Sequence, residues 1–529
     1  MSKIRLLQLG CMVAAAALVA VEAMRSRRGS APGGMARAVL AAVAAGNLLF
    51  VGFLCVNHIA FPLNLDLMEG TVLEHCRRAA NFQAIYPEPT PAYVPLAYNP
   101  LFYVLAVPFG WILGVTLPTL RLVAILGMVG SGFILFRTIR EKTSSRWWGL
   151  IGAGLFAAAY SVMDAYLDTA HSDSWLVFSA LLGTYIIDRN RSRRWNILGV
   201  LVLVASFWFK QHGALFAIGG VAWLTWREGF RRSVPYWLVA CLFGPVLYIL
   251  GGPLLFGSHF HYFTWEVPRE WSEVHLGTFV RYAKFIVKSY PLLAAAALFA
   301  TASAGRQAKK DLSVWHVQFV FAMLTGLMGS LDIGSSNNVY IPVGTWFILV
   351  GVLGIHEFGK RREGLERLGA SSLLLFVSFA LLLYNPLNEI CSFRASESYD
   401  DLVAELNGVD GTVYAPSLGQ LQEGYVLYPA AHWVALEDML RGPGKETRDH
   451  PTVRRLLQPV IEPNGPTYIL SNYPLDDLIP ALAFLTDYYV LAEDYEDRFK
   501  PLRVLPGRWD HAWPRYLYRY DAAKAVADE

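Results

Sequence analysis

The feature that most constrains this chain is a series of apolar segments, each close to the length that crosses a lipid bilayer. A membrane-spanning helix needs about 17–25 predominantly apolar residues. The chain is 54% hydrophobic and only 16% charged, whereas soluble proteins carry about 25% charged residues. The sequence predicts spans near 4–24, 38–60, 119–137, 147–163, 173–188, 195–209, 212–227, 235–255, 284–302, 313–331, 339–356 and 368–384. We therefore predict an α-helical polytopic membrane protein with about 11–12 transmembrane helices.

The loops between these spans are basic on one side only. Lys and Arg cluster at 25–28, 137–146, 188–194, 227–232, 305–310 and 360–367. An excess of these residues marks the cytoplasmic side, and the predicted spans put all six loops there. The net charge of +3 is therefore a sign of topology and does not indicate nucleic acid. We expect a multi-pass protein of a bacterial inner or plasma membrane that contacts membrane lipids.

Two apolar segments need separate treatment. The segment 99–114 is apolar enough to cross, but a crossing there would turn every later basic loop outward. We predict a helix lying in the outer interface, which its aromatic residues favour. The N-terminal helix has basic residues on both flanks and no convincing cleavage site after it, so we expect a retained helix rather than a signal peptide.

The chain is expected to divide into three parts. Residues 1–37 hold the N-terminal helix and a basic loop, and residues 38–385 form the membrane domain with a long outer loop at 61–118. Residues 386–529 are charged and rich in Tyr and Pro, with short patterns typical of helices and strands, which predicts an extracytoplasmic α/β domain. Cys76 and Cys391 both fall on the outer side, where a disulfide is allowed but nothing in the spacing supports one.

Ionisable residues gather on the predicted outer face. NLDLMEG carries Asp66 and Glu69 three residues apart, so that they point to similar sides of a helical turn. A carboxylate at membrane depth is costly to bury and has a raised pKa, which makes a usable general base. Both acids could instead cap the helix that follows. We favour Asp66 as the base, whereas Glu69 is balanced between the two roles.

Four more outer motifs carry candidate residues. HSDSW contributes His171 and Asp173, either of which could simply belong to a helix cap. The acid pair Asp66 and Asp173 could hold a divalent cation, although no dense ligand motif is present. FKQHG places Lys210 alone in a turn between two spans, where it could snorkel or stabilise a phosphate leaving group. Arg269 in WEVPREW is a second candidate, with a loop ion pair as the alternative.

These motifs, in this order, resemble the GT-C membrane glycosyltransferases. DLMEG followed by IYPEPTPAYVPLAYNPLFYVL, which contains Tyr98, looks like their first outer loop. HSDSW, FKQHG and SSNNVYIP, which contains Asn338, are similar to later conserved-looking positions. The similarity is greatest to protein O-mannosyltransferases and lipid A aminoarabinose transferases, and it covers about residues 38–385. YNP stands where relatives often show Y-P-P, which leaves the substrate group open.

The resemblance implies an inverting glycosyltransferase that uses a polyprenyl-phosphate-linked sugar. It would make Asp66 the general base on an acceptor hydroxyl, with Glu69, Asp173 and His171 positioning groups and Lys210 contacting the lipid phosphate. Tyr98, Arg269 and Asn338 would line the substrate site, and no cofactor would be required. The acceptor could be a glycan, a lipid or a protein. The alternatives are a flippase for lipid-linked sugars and a non-catalytic subunit of cell-envelope assembly.

Overall fold

The computed structural model describes residues 3–27, 34–306, 312–360, 364–418, 427–429, 431–445, 448, 450–476, 480–504 and 512–525. The predicted basic loops at 25–28, 305–310 and 360–367 lie partly outside these residues. The helices of the membrane region are α1 (Lys3–Arg27), α2 (Gly34–Ile59), α3 (Glu69–Ala80), α4 (Leu101–Leu113), α5 (Leu117–Thr143), α6 (Arg146–Ala158), α7 (Asp173–Arg189), α8 (Arg193–Phe209), α9 (Ala214–Glu228), α10 (Phe230–Cys241), α11 (Gly252–Phe256), α12 (Val267–Glu270), α13 (Leu276–Ser289), α14 (Pro291–Arg306), α15 (Val314–Ser330), α16 (Ile341–Lys360) and α17 (Gly364–Leu381).

Long apolar helices dominate this region. Among the described residues, five helices are long and apolar enough to cross a membrane, or six if one bent pair is a single span. Several of the other predicted spans form shorter helices; α7 and α8, for example, have 17 residues each, which at 1.5 Å per residue reach about 25 Å. The best buried helix is α16, with 94% of its apolar window inside the protein, so it forms the centre of the bundle.

Proline interrupts two of the predicted spans. The span expected at 284–302 is wrong as a single helix, because α13 and α14 meet at a bend of 99°. Pro291 begins α14, and a residue before proline is driven out of helical geometry, which ends α13 at Ser289. The span at 235–255 continues from α10 through a π-helical stretch, Leu242–Gly251, into α11, with a kink at Gly244 beside Pro245. Trp208 Nε1 donates to the Phe243 carbonyl at 2.7 Å at this kink.

The predicted interfacial segment is helical and short. Helix α4 has 13 residues, about 20 Å, which falls short of a hydrocarbon core of about 30 Å. Trp111 near its end is 59% exposed and donates from Nε1 to the Ala80 carbonyl at 3.1 Å. Helix α4 thereby packs on α3, which begins at Glu69, the second of the two acids of the first outer loop.

The C-terminal region contains the predicted mixture of helices and strands. Four strands form one sheet in the order β1-β2-β4-β3, with β1 parallel to β2 and the other pairs antiparallel. The expected strand segments are thus confirmed. The strands are β1 (Val413–Tyr414), β2 (Tyr468–Ser471), β3 (Tyr489–Asp494) and β4 (Tyr516–Tyr520), and the helices are α18 (Ala395–Gly408), α19 (Trp433–Leu440), α20 (Pro451–Leu456), α21 (Gln458–Ile461) and α22 (Ala522–Ala525).

The two regions share a hydrophobic core. Phe61, Leu63 and Leu65 of the first outer loop are buried in one cluster with Leu402 and Leu470 of the C-terminal region. This contact places the first outer loop between the membrane helices and the sheet.

The two outer cysteines do not pair. Both Cys76 and Cys391 are buried free thiols, and they belong to different hydrophobic clusters. The disulfide that the sequence allowed is therefore absent.

Candidate active site

A cavity of about 590 Å³ lies where the outer loops meet the C-terminal region. The first outer loop, the turn after α8, the segments around 268 and 332, and helix α19 all contribute to its wall. Five of the predicted site residues line it: Asp66, Tyr98, Lys210, Arg269 and Asn338. The fold thus brings parts of the chain that are distant in sequence around one cavity.

Asp66 has the properties of a poised base. Its side chain is 5% exposed, and Oδ1 accepts a hydrogen bond from the Met68 amide at 2.8 Å. Oδ2 is buried and accepts none within the described part of the chain. Burial raises the pKa of Asp66 to about 6, while the nearby His171 acts to lower it and Glu69 to raise it. Asp66 therefore lies in the cavity wall with Oδ2 lacking a hydrogen bond among the described residues, while the nearby Tyr166 hydroxyl acts to lower its pKa.

Glu69 lies behind the wall and is fully engaged. It is 1% exposed and pairs with Arg121, whose Nη2 lies 2.6 Å from Oε2. The amides of Leu65 and Ala170 donate to its two oxygens, each at 2.7 Å. A carboxylate saturated in this way holds the loop that carries Asp66.

Asp173 links three candidate residues. Its Oδ1 accepts from Lys210 Nζ at 2.9 Å, and its Oδ2 contacts His171 Nδ1 and accepts from Asn338 Nδ2 at 3.4 Å. Asp173 begins α7 and is completely buried. The carboxylate thereby fixes the Lys210 ammonium at the cavity and holds the His171 ring through its Nδ1.

Tyr98 and Arg269 occupy opposite kinds of environment. The Tyr98 ring lies 5.6 Å from Lys210 Nζ and 5.2 Å from the His171 ring, in a cation–π arrangement. Arg269 is exposed, and among the described residues it makes no ion pair with Glu266. Glu270 pairs with Lys445 instead, so the expected alternative of a loop ion pair does not hold for Arg269.

Arg121 is the main residue that sequence reasoning missed. It lies inside a predicted span, is completely buried, and donates to the carbonyls of His58 at 2.9 Å, Phe61 at 2.6 Å and Leu63. The sequence feature that could have revealed it is a single Arg two residues into an apolar segment, because a charge at that depth needs a partner. Its contacts draw the end of α2 and the first outer loop together.

A second buried network supports the same loop. Asp168 accepts from Tyr160 OH at 2.6 Å and contacts His58 Nδ1 at 2.8 Å. His58 Nε2 lies 2.7 Å from the Glu389 carbonyl. Asp168 thus serves packing between α2 and the C-terminal region.

The acid pair considered for a divalent cation is not free to bind one as it stands. Asp173 is committed to Lys210, and within the described residues no group of three or more His, Cys, Asp or Glu could hold a metal ion. A cation between Asp66 and Asp173 would have to displace the ammonium, which fills the same electrostatic role.

An apolar groove of about 650 Å³ runs from the cavity along the membrane helices. It shares Phe207, Gln211, Ala214, Ile218 and Trp265 with the cavity. Its floor follows α8, α9 and the kinked stretch after α10. A long apolar chain can therefore lie in this groove with its polar end at Lys210.

Comparison with solved structures gives similar folds at low identity. ArnT from Cupriavidus metallidurans in the apo state is 12% identical, with a TM-score of 0.51, over 91% of this chain and 99% of ArnT. The same protein bound to undecaprenyl phosphate is 12% identical, with a TM-score of 0.47, over 90% and 98%. The Archaeoglobus fulgidus oligosaccharyltransferase in the apo form is 9% identical, with a TM-score of 0.46, over 81% and 69%.

No family model and no curated protein sequence matches the chain. The match to apo ArnT nevertheless extends over nearly the whole of both chains. It confirms the predicted helical membrane fold with a C-terminal α/β region, and the chain therefore shares the fold of ArnT over nearly its whole length.

Proposed function

We propose that this protein is a glycosyltransferase that moves a sugar from a polyprenyl-phosphate donor to an acceptor hydroxyl, with inversion, on the extracytoplasmic face. The observation that carries the proposal is the junction of the cavity with the apolar groove. At that junction a free carboxylate oxygen on Asp66 and a fixed ammonium on Lys210 share one wall. Such a space takes a lipid tail and a charged head together.

The proposed chemistry needs one base and one cation. Asp66 Oδ2 takes the proton of the acceptor hydroxyl as the hydroxyl oxygen attacks the anomeric carbon of the sugar. The bond between that carbon and the phosphate oxygen breaks on the opposite face, which inverts the configuration. The departing polyprenyl phosphate gains negative charge, which Lys210 stabilises from its fixed position. Arg269, which lines the cavity and makes no ion pair among the described residues, adds a second cation.

The central test is transfer or release of sugar by purified protein in a panel of polyprenyl-phosphate sugars. We expect Asp66→Asn to slow transfer by about 10²–10⁴-fold, the usual contribution of a general base, while donor binding is retained. The matched control is Asp401→Asn, an exposed acid on α18, which should leave the rate unchanged. If Asp66→Asn transfers as fast as wild type, the base is another group.

The same panel separates the alternatives. A flippase would carry labelled donor across a vesicle membrane without releasing sugar, and that result would replace the transferase proposal. A non-catalytic assembly subunit would bind no donor at any concentration tested. Asp66 Oδ2 is buried without a hydrogen bond among the described residues, which favours the transferase, because leaving a buried acceptor unsatisfied costs free energy that a structural subunit has no need to spend.

A further inference from the structure

Helix α19 of the C-terminal region closes one side of the cavity. Trp433, Asp438 and Arg441 from this helix and its end lie in the cavity wall. Trp271 Nε1 donates to the Asp438 carbonyl at 2.8 Å, and this bond joins the helix to the loop after α12. The C-terminal region is therefore a part of the site itself.

The Asp438 carboxylate is held at one oxygen and free at the other. Its side chain is 3% exposed. Oδ1 lies 3.1 Å from Arg441 Nη2, and the Arg441 guanidinium lies 5.4 Å from the Trp271 ring centroid. Oδ2 is buried without a hydrogen-bond partner in the part of the chain that the structure describes. Burial raises the pKa of Asp438, and Arg441 opposes that effect. A buried carboxylate oxygen without a hydrogen bond costs free energy. A ligand that donates a hydrogen bond to Oδ2 would remove that cost, so Asp438 is suited to bind such a ligand.

The position of Asp438 relates it to the reacting groups. Asp438 interacts electrostatically with both His171 and Tyr98. Tyr98 lies under the Lys210 ammonium, and His171 lies near Asp66. Asp438 therefore lines the same cavity as the cation that would hold the phosphate and the acid that would activate the acceptor. In a transfer reaction the sugar occupies that space.

We propose that Asp438 recognises the sugar of the donor. Its free oxygen accepts hydrogen bonds from sugar hydroxyls, and Arg441 holds the carboxylate in the orientation that this requires. The inference rests on the proposed function, since it assumes a lipid-phosphate sugar in the cavity. It adds a sugar-binding residue from outside the membrane helices and outside the sequence motifs.

The test compares donors with and without a sugar. Binding to purified full-length protein is measured for polyprenyl phosphate alone and for polyprenyl phosphates carrying mannose, glucose or arabinose. We expect Asp438→Asn to weaken binding of the best sugar-bearing donor by about tenfold or more, the loss of a charged hydrogen bond. Binding of the sugar-free lipid should stay the same within about twofold, which also shows that the variant is folded. Arg441→Gln should give the same selective loss.

Each outcome decides between the two proposals. A selective loss with Asp438→Asn, absent in Asp401→Asn, supports the inference. Equal binding of every sugar-bearing donor by wild type and by both variants overturns the inference and leaves the proposed function standing. Failure of wild type to bind any of these lipids overturns the proposed function, and the inference falls with it. If Asp438→Asn fails to fold, Arg441→Gln alone provides the comparison.

Discussion

Asp66 and Glu69 stand three residues apart, and their surroundings assign them different tasks. Glu69 meets a guanidinium and two backbone amides, whereas Asp66 meets one amide and keeps a bare oxygen. Hydrogen bonds to the charged form stabilise a carboxylate, and burial without them favours its protonation. Burial raises the pKa of Asp66 to about 6, a proton affinity suited to exchange near neutral pH.

The pKa of Asp66 predicts the acid limb of the pH profile. Its folded value of about 6 lies above the value of 3.8 for an ordinary Asp, so the carboxyl is protonated and inactive as a base below pH 6. We expect kcat/KM to rise about tenfold per pH unit up to pH 6 and then level off. His171→Gln removes a group that lowers this pKa and should move the limb to higher pH. A flat profile from pH 4 to 8 would contradict Asp66 as the base.

Arg121 predicts a stability effect rather than a catalytic one. Arg121→Lys keeps the charge but loses the fork that reaches Glu69 and three carbonyls. Buried acceptors left without a donor cost about 1–3 kcal/mol each, and we expect that loss as a lower melting temperature. Arg140→Lys, an exposed change on the same helix, is the control and should melt like wild type. Equal melting of both variants would refute the anchoring role of Arg121.

At this scale the sequence identified five of the residues that line the cavity but not the network behind them. Asp66, Lys210 and Asn338 could be found because polar residues between apolar segments are conspicuous. The division of work between Asp66 and Glu69 depends on Arg121, which is distant in sequence, so no local pattern could reveal it. Asp438 lies in an ordinary amphipathic helix and carried no signal.

At the scale of elements, the break after α10 shapes the groove. Proline and glycine bend the chain near Gly244, and Cys241 and Ile249 line the resulting apolar channel. Cys241 is exposed, so a larger side chain there can be accommodated without disturbing the core.

A bulky side chain in the groove should therefore block the lipid tail. We expect Cys241→Trp to weaken binding of a long-chain polyprenyl phosphate by about tenfold, since each buried methylene contributes about 0.8 kcal/mol. Binding of a two-isoprene analogue should be little changed. Cys11→Trp, at the other exposed cysteine, serves as the matched control. Equal weakening of long and short lipids would place the tail elsewhere.

The positions of most membrane elements could be predicted because apolar length is a strong signal. The exception is the bend between α13 and α14, which has a local cause in Pro291. The apolar pattern on both sides of this proline led to the prediction of a single span. The bend itself depends on packing: Tyr290 is buried at the junction with its ring 5.7 Å from that of Phe347 on α16. Hydropathy shows that a stretch is apolar and does not show whether it stays straight.

At the scale of the whole molecule, the class of fold followed from composition, while the arrangement of its two regions did not. The alternation of apolar and polar residues predicted the strands of the C-terminal region. The seating of α19 on the cavity depends on Trp271 and Arg441, which lie 170 residues apart. Hydrophobic periodicity reports local secondary structure and gives no information about contacts between residues so far apart in sequence.

The hydrogen bonds that join the end of α2 and the first outer loop to the C-terminal region have a consequence for chimeric proteins. The Asn57 side chain donates to the Cys391 carbonyl at 3.2 Å and accepts from its amide at 2.7 Å, and the Asn64 side chain donates to the Ser417 carbonyl at 3.0 Å. A chimera in which only the chain after residue 386 is exchanged would lose these hydrogen bonds and expose Phe61, which packs against the C-terminal region. A chimera of two related proteins should therefore take residues 57–65 and the C-terminal region from the same protein.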